Sequence, residues 1–209
     1  MLTQLLGIAL YPWMESQPRG HALFTGFGLL VLGVALRVVR QSPWLTWLAA
    51  MLALVVVVLS VISTISPHPA LTATTAGMQA AFYLYATGSL IAYMVSDPVA
   101  TTDEFFAAGA TFTLLAWAFA YLYVMCQAIF PGSFSAPVDP QSARTWMELL
   151  FLSVAVLSSA GLSDILPVTP LARALVMLES FAGVLYIALV VSYLISLNVA
   201  ARKERKEGP

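Results

Sequence analysis

Residues 158 to 164 read SSAGLSD, three hydroxyls, one glycine and one acid held between two apolar runs. Hydroxyls so close together could supply a nucleophile. Ser158, Ser159 and Ser163 have no histidine or lysine base nearby in the sequence, however, so an enzyme working through them is not expected. His21 and His68 are far apart, each without a carboxylate at ligand spacing, and read as surface histidines. Cys126 is the only cysteine, which excludes an intramolecular disulfide and a cysteine metal site; it reads as a small buried hydrophobe. No phosphate-binding glycine loop occurs, and no cofactor is expected. The chemistry left is non-covalent and rests on the acids Glu148, Asp164 and Glu179, the base Arg173, and the small-residue turn itself. An acid inside an apolar span is costly, which makes Glu179 a functional candidate.

The composition says what surrounds these groups. Of 209 residues, 60% are hydrophobic and 9% charged, with a mean hydropathy of +0.89; a soluble domain carries roughly 25% charged residues. An all-α integral membrane protein is expected. The net charge of −1 implies no nucleic-acid partner.

A spanning helix needs about 20 mostly apolar residues. By that rule Ala22 to Val39, Pro43 to Ile65, Gly77 to Val95, Glu104 to Phe130 and Pro170 to about Val199 are expected to cross. MLTQLLGIALYPWM at the start is short, contains Pro12 and lacks a basic start, and is read as an interfacial helix anchored by Tyr11 and Trp13. Five transmembrane helices result, or six if residues 1–14 also cross. WMELLFLSVAVLSS, from Trp146 to Ser159, is long enough to enter the membrane and too short to leave it. Irregular backbone at that depth is tolerated only where protein buries it or water lines it, so a re-entrant pore helix ending in SSAGLSD is expected before the last span.

Helix punctuation supports these limits. Thr101 and Glu104 have capping-box spacing, and Thr169 with Pro170 reads as an N-cap followed by proline at the first helical position. PGSFSAPVDPQSAR, residues 131–144, reads as an exposed linker. Arg37 and Arg40, and the tail residues Arg202, Lys203, Arg205 and Lys206, place both segments on the cytoplasmic side of the plasma (cell inner) membrane, the tail within reach of anionic lipid. The spans Pro43 to Ile65 and Gly77 to Val95 contain no arginine or lysine, which argues against a voltage sensor. Three segments follow: N-terminal helices over 1–100, a pore module over 101–200, and a basic tail over 201–209.

An outer span, a polar linker, a half-helix, a short turn ending in aspartate, and then DILPVTPLARALVMLESFAGVLYIALVVSYLISL resemble the pore module of bacterial potassium channels with two transmembrane helices per pore. GATFTLLAWAFAYLYVMCQAIFPGSF resembles their outer helix and turret. The resemblance covers roughly residues 100 to 200 and implies a homotetramer with four pore loops around one axis. In the family's TVGYG filter Ser159 falls at threonine, Ala160 at valine, Gly161 at the first glycine, Leu162 at tyrosine and Ser163 at the second glycine, with Ser158 just before. Asp164 falls on the aspartate that follows. Only Gly161 and Asp164 keep the family's pattern.

The departures have expected consequences. Filter glycines take left-handed conformations that turn successive carbonyls inward, and Ser163 would adopt one at a cost of roughly 1–2 kcal/mol. Leucine at 162 lacks the phenolic hydroxyl that, in the family, ties the filter to the pore helices. Two readings stand for Asp164: an outer ring of four acids that concentrates cations, or a brace hydrogen-bonded to Trp146 or to backbone amides. Glu148 reads as a compensator of the half-helix dipole and Glu179 as a hydrogen-bonding group behind the filter, while Arg173 pairs with an acid or a carbonyl. Gly183 aligns with the family's inner-helix hinge, or else serves close helix packing. The expected function is conduction of a monovalent cation, potassium or sodium, with weak selectivity. The alternative is a non-conducting structural or regulatory homologue or subunit.

Overall fold

The computed structural model describes residues 5–10, 33, 46–66, 68–96 and 102–207. The expected span from Ala22 to Val39 apart from residue 33, with Arg37, Arg40 and His21, and the expected Thr101–Glu104 capping box lie outside the described residues or side chains, and of the first fourteen residues a helical stretch at 5–10 is described.

Five helices carry the described fold: α1 (Thr46–Ile65), α2 (Pro69–Ser96), α3 (Thr102–Ile129), α4 (Trp146–Leu157) and α5 (Pro170–Glu207), with a two-residue ribbon of β1 (Phe134–Ser135) and β2 (Leu166–Pro167). Within α3 and α5, Phe106–Ile129 and Pro170–Tyr193 are each long and apolar enough to cross a membrane; at 24 residues apiece they measure about 36 Å against a hydrocarbon core of about 30 Å. The apolar part of α1, Trp47–Ser63, is shorter. With 12 residues, α4 is about 18 Å long and reaches roughly half-way.

Helix α2 starts eight residues before the expected Gly77. The expected limit marks where the apolar run begins, and a threonine-rich stretch precedes it. The hydroxyls of Thr72, Thr74 and Thr75 instead fold back onto the carbonyls of His68, Ala70 and Leu71, four residues earlier, and so are satisfied inside a helix. Pro69 occupies the first helical position and exposed His68 caps it, its Nδ1 accepting from the Ala70 amide at 3.3 Å. Helix α5 likewise runs past the expected limit near Val199, and the basic tail continues it to Glu207.

The most extensive helix contact is between α2 and α3. Small side chains on both, among them Ala76, Ala80, Ala108 and Ala116, are buried and let the backbones approach. Around them Tyr83 stacks on Tyr121 at 5.6 Å and tilts against Trp117 at 5.7 Å. Trp117 meets the Trp146 ring edge-to-face at 4.9 Å, which docks the start of α4 on α3.

Most of the segment from 131 to 144 is exposed, as expected of a proline-rich linker, but four of its side chains turn inward. Pro131 and Gly132 make a tight turn, with Gly132 at φ +79 and the Ser133 amide donating to the Phe130 carbonyl. Ser133, Phe134, Ala136 and Arg144 are buried. Arg144 organises the rest: its guanidinium donates to the carbonyls of Val138, Asp139 and Ser142, while its backbone pairs in both directions with the Gln127 side chain of α3. Arg144→Ala removes the charged donor at the centre of that loop. A loss of about 2–3 kcal/mol in loop stability is expected, seen as faster hydrogen exchange over 133–143 while α2 and α3 stay protected.

Candidate functional site

Helix α4 begins on a complete capping box. The Thr145 hydroxyl accepts from the Glu148 amide at 3.3 Å, and the Glu148 carboxylate accepts from the Thr145 amide at 2.6 Å. Glu148 is also 3.4 Å from Arg144. It therefore caps the amino end of the helix, and the box adds Thr145, which the sequence reading passed over. Trp146, at the first helical position, packs its ring on Trp117 and Tyr121.

The other end of α4 closes on SSAGLSD. Ser158 is the cap residue in a right-handed conformation, and Ser159 follows at φ +58. The Ser159 amide donates to the Val156 carbonyl and the Ala160 amide to the Ala155 carbonyl, both at 3.0 Å. These are the two bonds of a Schellman motif with serine at its left-handed position. Gly161, at φ +67, sends a further amide to Ala155. The left-handed positions thus fall at Ser159 and Gly161, not at Ser163 as expected: ending the helix, rather than continuing an alternating filter, decides where the chain must reverse. Ser163 instead turns its hydroxyl to accept from the Ile165 amide at 3.1 Å.

From Ser158 to Leu162 the turn lies exposed on the surface of the chain, and Leu162 is 76% exposed. Asp164 is exposed too, and among the described residues it makes no hydrogen bond, so the expected brace to Trp146 or to backbone amides does not form within this chain. Past the turn, β2 pairs antiparallel with β1, Phe134 opposite Pro167. The Val168 amide donates to Ser133, and Thr169 caps α5 by accepting from the Ala172 amide at 3.4 Å. The 131–144 loop is therefore stitched to the exit of the turn. Arg173 donates to the Pro167 carbonyl at 3.3 Å, the carbonyl option of the two expected.

Behind the turn sits Glu179, fully buried. Its carboxyl group bonds the hydroxyl of Tyr123 on α3 and that of Ser153 on α4. Ser153 also lies 2.8 Å from the Ala116 carbonyl of α3. Glu179 thus joins three helices through hydrogen bonds. Its partners Tyr123 and Ser153 escaped the sequence reading, because a tyrosine and a serine inside apolar helices have no spacing signal across 56 and 26 residues. Gly183, one turn further, abuts the Leu157 carbonyl so closely that an added Cβ would lie 2.3 Å from its oxygen. Lower on α5, Tyr186 and Tyr193 donate to the carbonyls of Ala108 and Met94, tying α5 to α3 and α2.

Among the described side chains of α5, one stripe is covered, through Ala172, Glu179, Gly183, Tyr186 and Tyr193. Met177, Leu178, Phe181, Val184 and Leu185 are exposed. Two apolar helices of spanning length flank a 12-residue apolar helix and an exposed turn. Residues 109–200, just under half of the chain, match the family described as "Ion channel". That stretch runs from within α3 through α4 and the turn into α5, and its similarity to an ion-channel family supports a helical membrane protein. No curated protein and no solved structure is similar enough to the chain to count as a match.

Proposed function

We propose that the protein conducts monovalent cations through a pore formed by four copies, with the SSAGLSD turns around the axis. The observation that carries this reading is the exposed turn. Five residues of non-helical or capping backbone, Ser158 to Leu162, end a short apolar helix and are all exposed among the described residues. In hydrocarbon such backbone is tolerated only when other protein buries it or water fills the space before it, and a ring of turns around an aqueous axis meets both demands. The bare apolar face of α5 beside it would then lie against neighbouring copies, and the outward apolar face of α1, including Trp47, Leu54 and Val58, against lipid.

Charge favours cations in this arrangement. Four exposed Asp164 carboxylates would ring the outer mouth, and the carboxyl ends of four α4 helices would present their negative dipoles to the cavity. Weak selectivity is the expected consequence of Leu162 and Ser163, which differ from the family's tyrosine and glycine. The earlier helices, five or six spans in all, would serve as a fixed jacket, since α2 is held to α3 by its most extensive contact. The carboxyl end of α5, with Arg202, Lys203, Arg205 and Lys206, would be cytoplasmic and near anionic headgroups.

Purified protein in a planar bilayer under opposing potassium and sodium gradients tests the reading. Currents whose reversal potential follows the cation gradients are expected. Silence from a folded tetramer would instead favour the non-conducting structural or regulatory homologue. Replacing Leu162→Tyr and Ser163→Gly together should move the reversal potential towards that of potassium. A conducting double variant with unchanged selectivity would remove the turn from the selectivity role.

A further inference from the structure

Glu179 has no charged partner. The ion pair found among the described residues is Arg144–Glu148, at the far end of α4. Around the carboxyl group stand Tyr123 from α3 and Ser153 from α4, and Ser153 in turn faces the Ala116 carbonyl of α3. Tyr123 is fully buried, as are Ser153 and Glu179.

These contacts can be counted in protons. Three oxygen pairs lie at bonding distance: Tyr123 with Glu179, Ser153 with Glu179, and Ser153 with Ala116. Each pair needs one hydrogen. The phenol and the hydroxyl supply one apiece, a carbonyl supplies none, and a carboxyl group supplies one only when it is an acid. A carboxylate would leave one of the three pairs as two bare oxygens pressed together in a closed site, at the cost of an unpaired buried charge as well. With the acid, Glu179 Oε1 donates to Ser153 Oγ, Ser153 donates to Ala116, and Tyr123 donates to Glu179 Oε2. Every contact is then made.

We propose that Glu179 carries a proton and donates it to Ser153, so that it acts as a neutral positioning residue fixing α4, and with it the SSAGLSD turn, against α5 and α3. The inference rests on the reading of that turn as the ion-selecting element for its functional consequence, though not for the proton itself. A neutral acid adds no charge to the ion path. Glu179 acts on ions through place alone: its bond to Ser153 and the contact of Gly183 with Leu157 lie one turn apart on the same face of α5, and together they hold the last two turns of the half-helix.

The test uses full-length protein in liposomes. Infrared difference spectra between the wild type and Glu179→Gln should show the carbonyl stretch of a protonated carboxyl group, lost in the variant. A carboxylate stretch lost in its place would overturn the proposal. Glutamine reproduces the bonding, its amide nitrogen donating to Ser153 and its oxygen accepting from Tyr123. The Glu179→Gln variant should therefore keep its thermal midpoint and conduct within about twofold of wild type, because no buried group loses its partner. Glu179→Leu, of similar size and without polar atoms, should lower the midpoint and shift the reversal potential. A glutamine variant as impaired as the leucine variant would sink the positioning role. If the wild type carries no current, the channel reading fails by itself, while the infrared band and the thermal midpoints still decide this one.

Discussion

Gly183→Ala is expected to displace the half-helix or prevent stable folding. The added Cβ would lie 2.3 Å from the Leu157 carbonyl oxygen, 2.9 Å from its carbon and 3.0 Å from the Leu157 Cα. All three are backbone atoms, so no side-chain rotation relieves the overlap, and α4 must shift away from α5. Overpacking of this kind costs about 1–3 kcal/mol, and more where the neighbour cannot yield. Leu157 yields poorly: its side chain is buried and the next residues are committed to the Schellman motif. A markedly lower thermal midpoint in detergent should therefore accompany any change in function. Two roles were open for this glycine, a hinge and a site of close packing. A variant with wild-type stability and altered opening would point to the hinge; loss of stability points to the packing.

Glu179→Ala should be nearly as damaging, for a different reason. Truncation opens a cavity among three helices and leaves the Tyr123 hydroxyl, fully buried, without its acceptor. Ser153 keeps the Ala116 carbonyl and is spared. The lost packing and the orphaned phenol together give an expected loss of about 3–4 kcal/mol in unfolding free energy. Tyr123→Phe in the alanine background should then cost little further, since the hydroxyl it removes has already lost its acceptor. A double-mutant cycle with coupling of about 1–3 kcal/mol is the expected result. Strict additivity would show that the two side chains act independently.

The legible parts of the fold were those encoded over short stretches. Spans α3 and α5 follow from continuous apolar runs, the half-helix from a run too short to cross, and the start of α5 from Thr169 and Pro170. Each depends on a solvent preference or a cap that a few adjacent residues decide. The misread parts share an opposite cause. The threonines of 72–75 look polar in a list, yet their hydroxyls find helix carbonyls four residues back. The 131–144 loop is exposed over most of its length, yet nothing in its sequence signals that Arg144 turns inward and satisfies three of its carbonyls at once.

The turn shows the division most clearly. Sequence alone determined that a glycine and an acid follow a short apolar helix, that the surroundings are apolar, and that the next apolar run is long enough to span. Those statements need only identity and order along the chain. Which residues turn left-handed was decided in the folded chain, where the reversal satisfies the Ala155 and Val156 carbonyls at the end of α4. The partnership of Glu179 with Tyr123 and Ser153, and the contact of Gly183 with Leu157, were decided there as well. Both join residues far apart in the chain, and no local pattern encodes a hydrogen bond that exists only once three helices have packed.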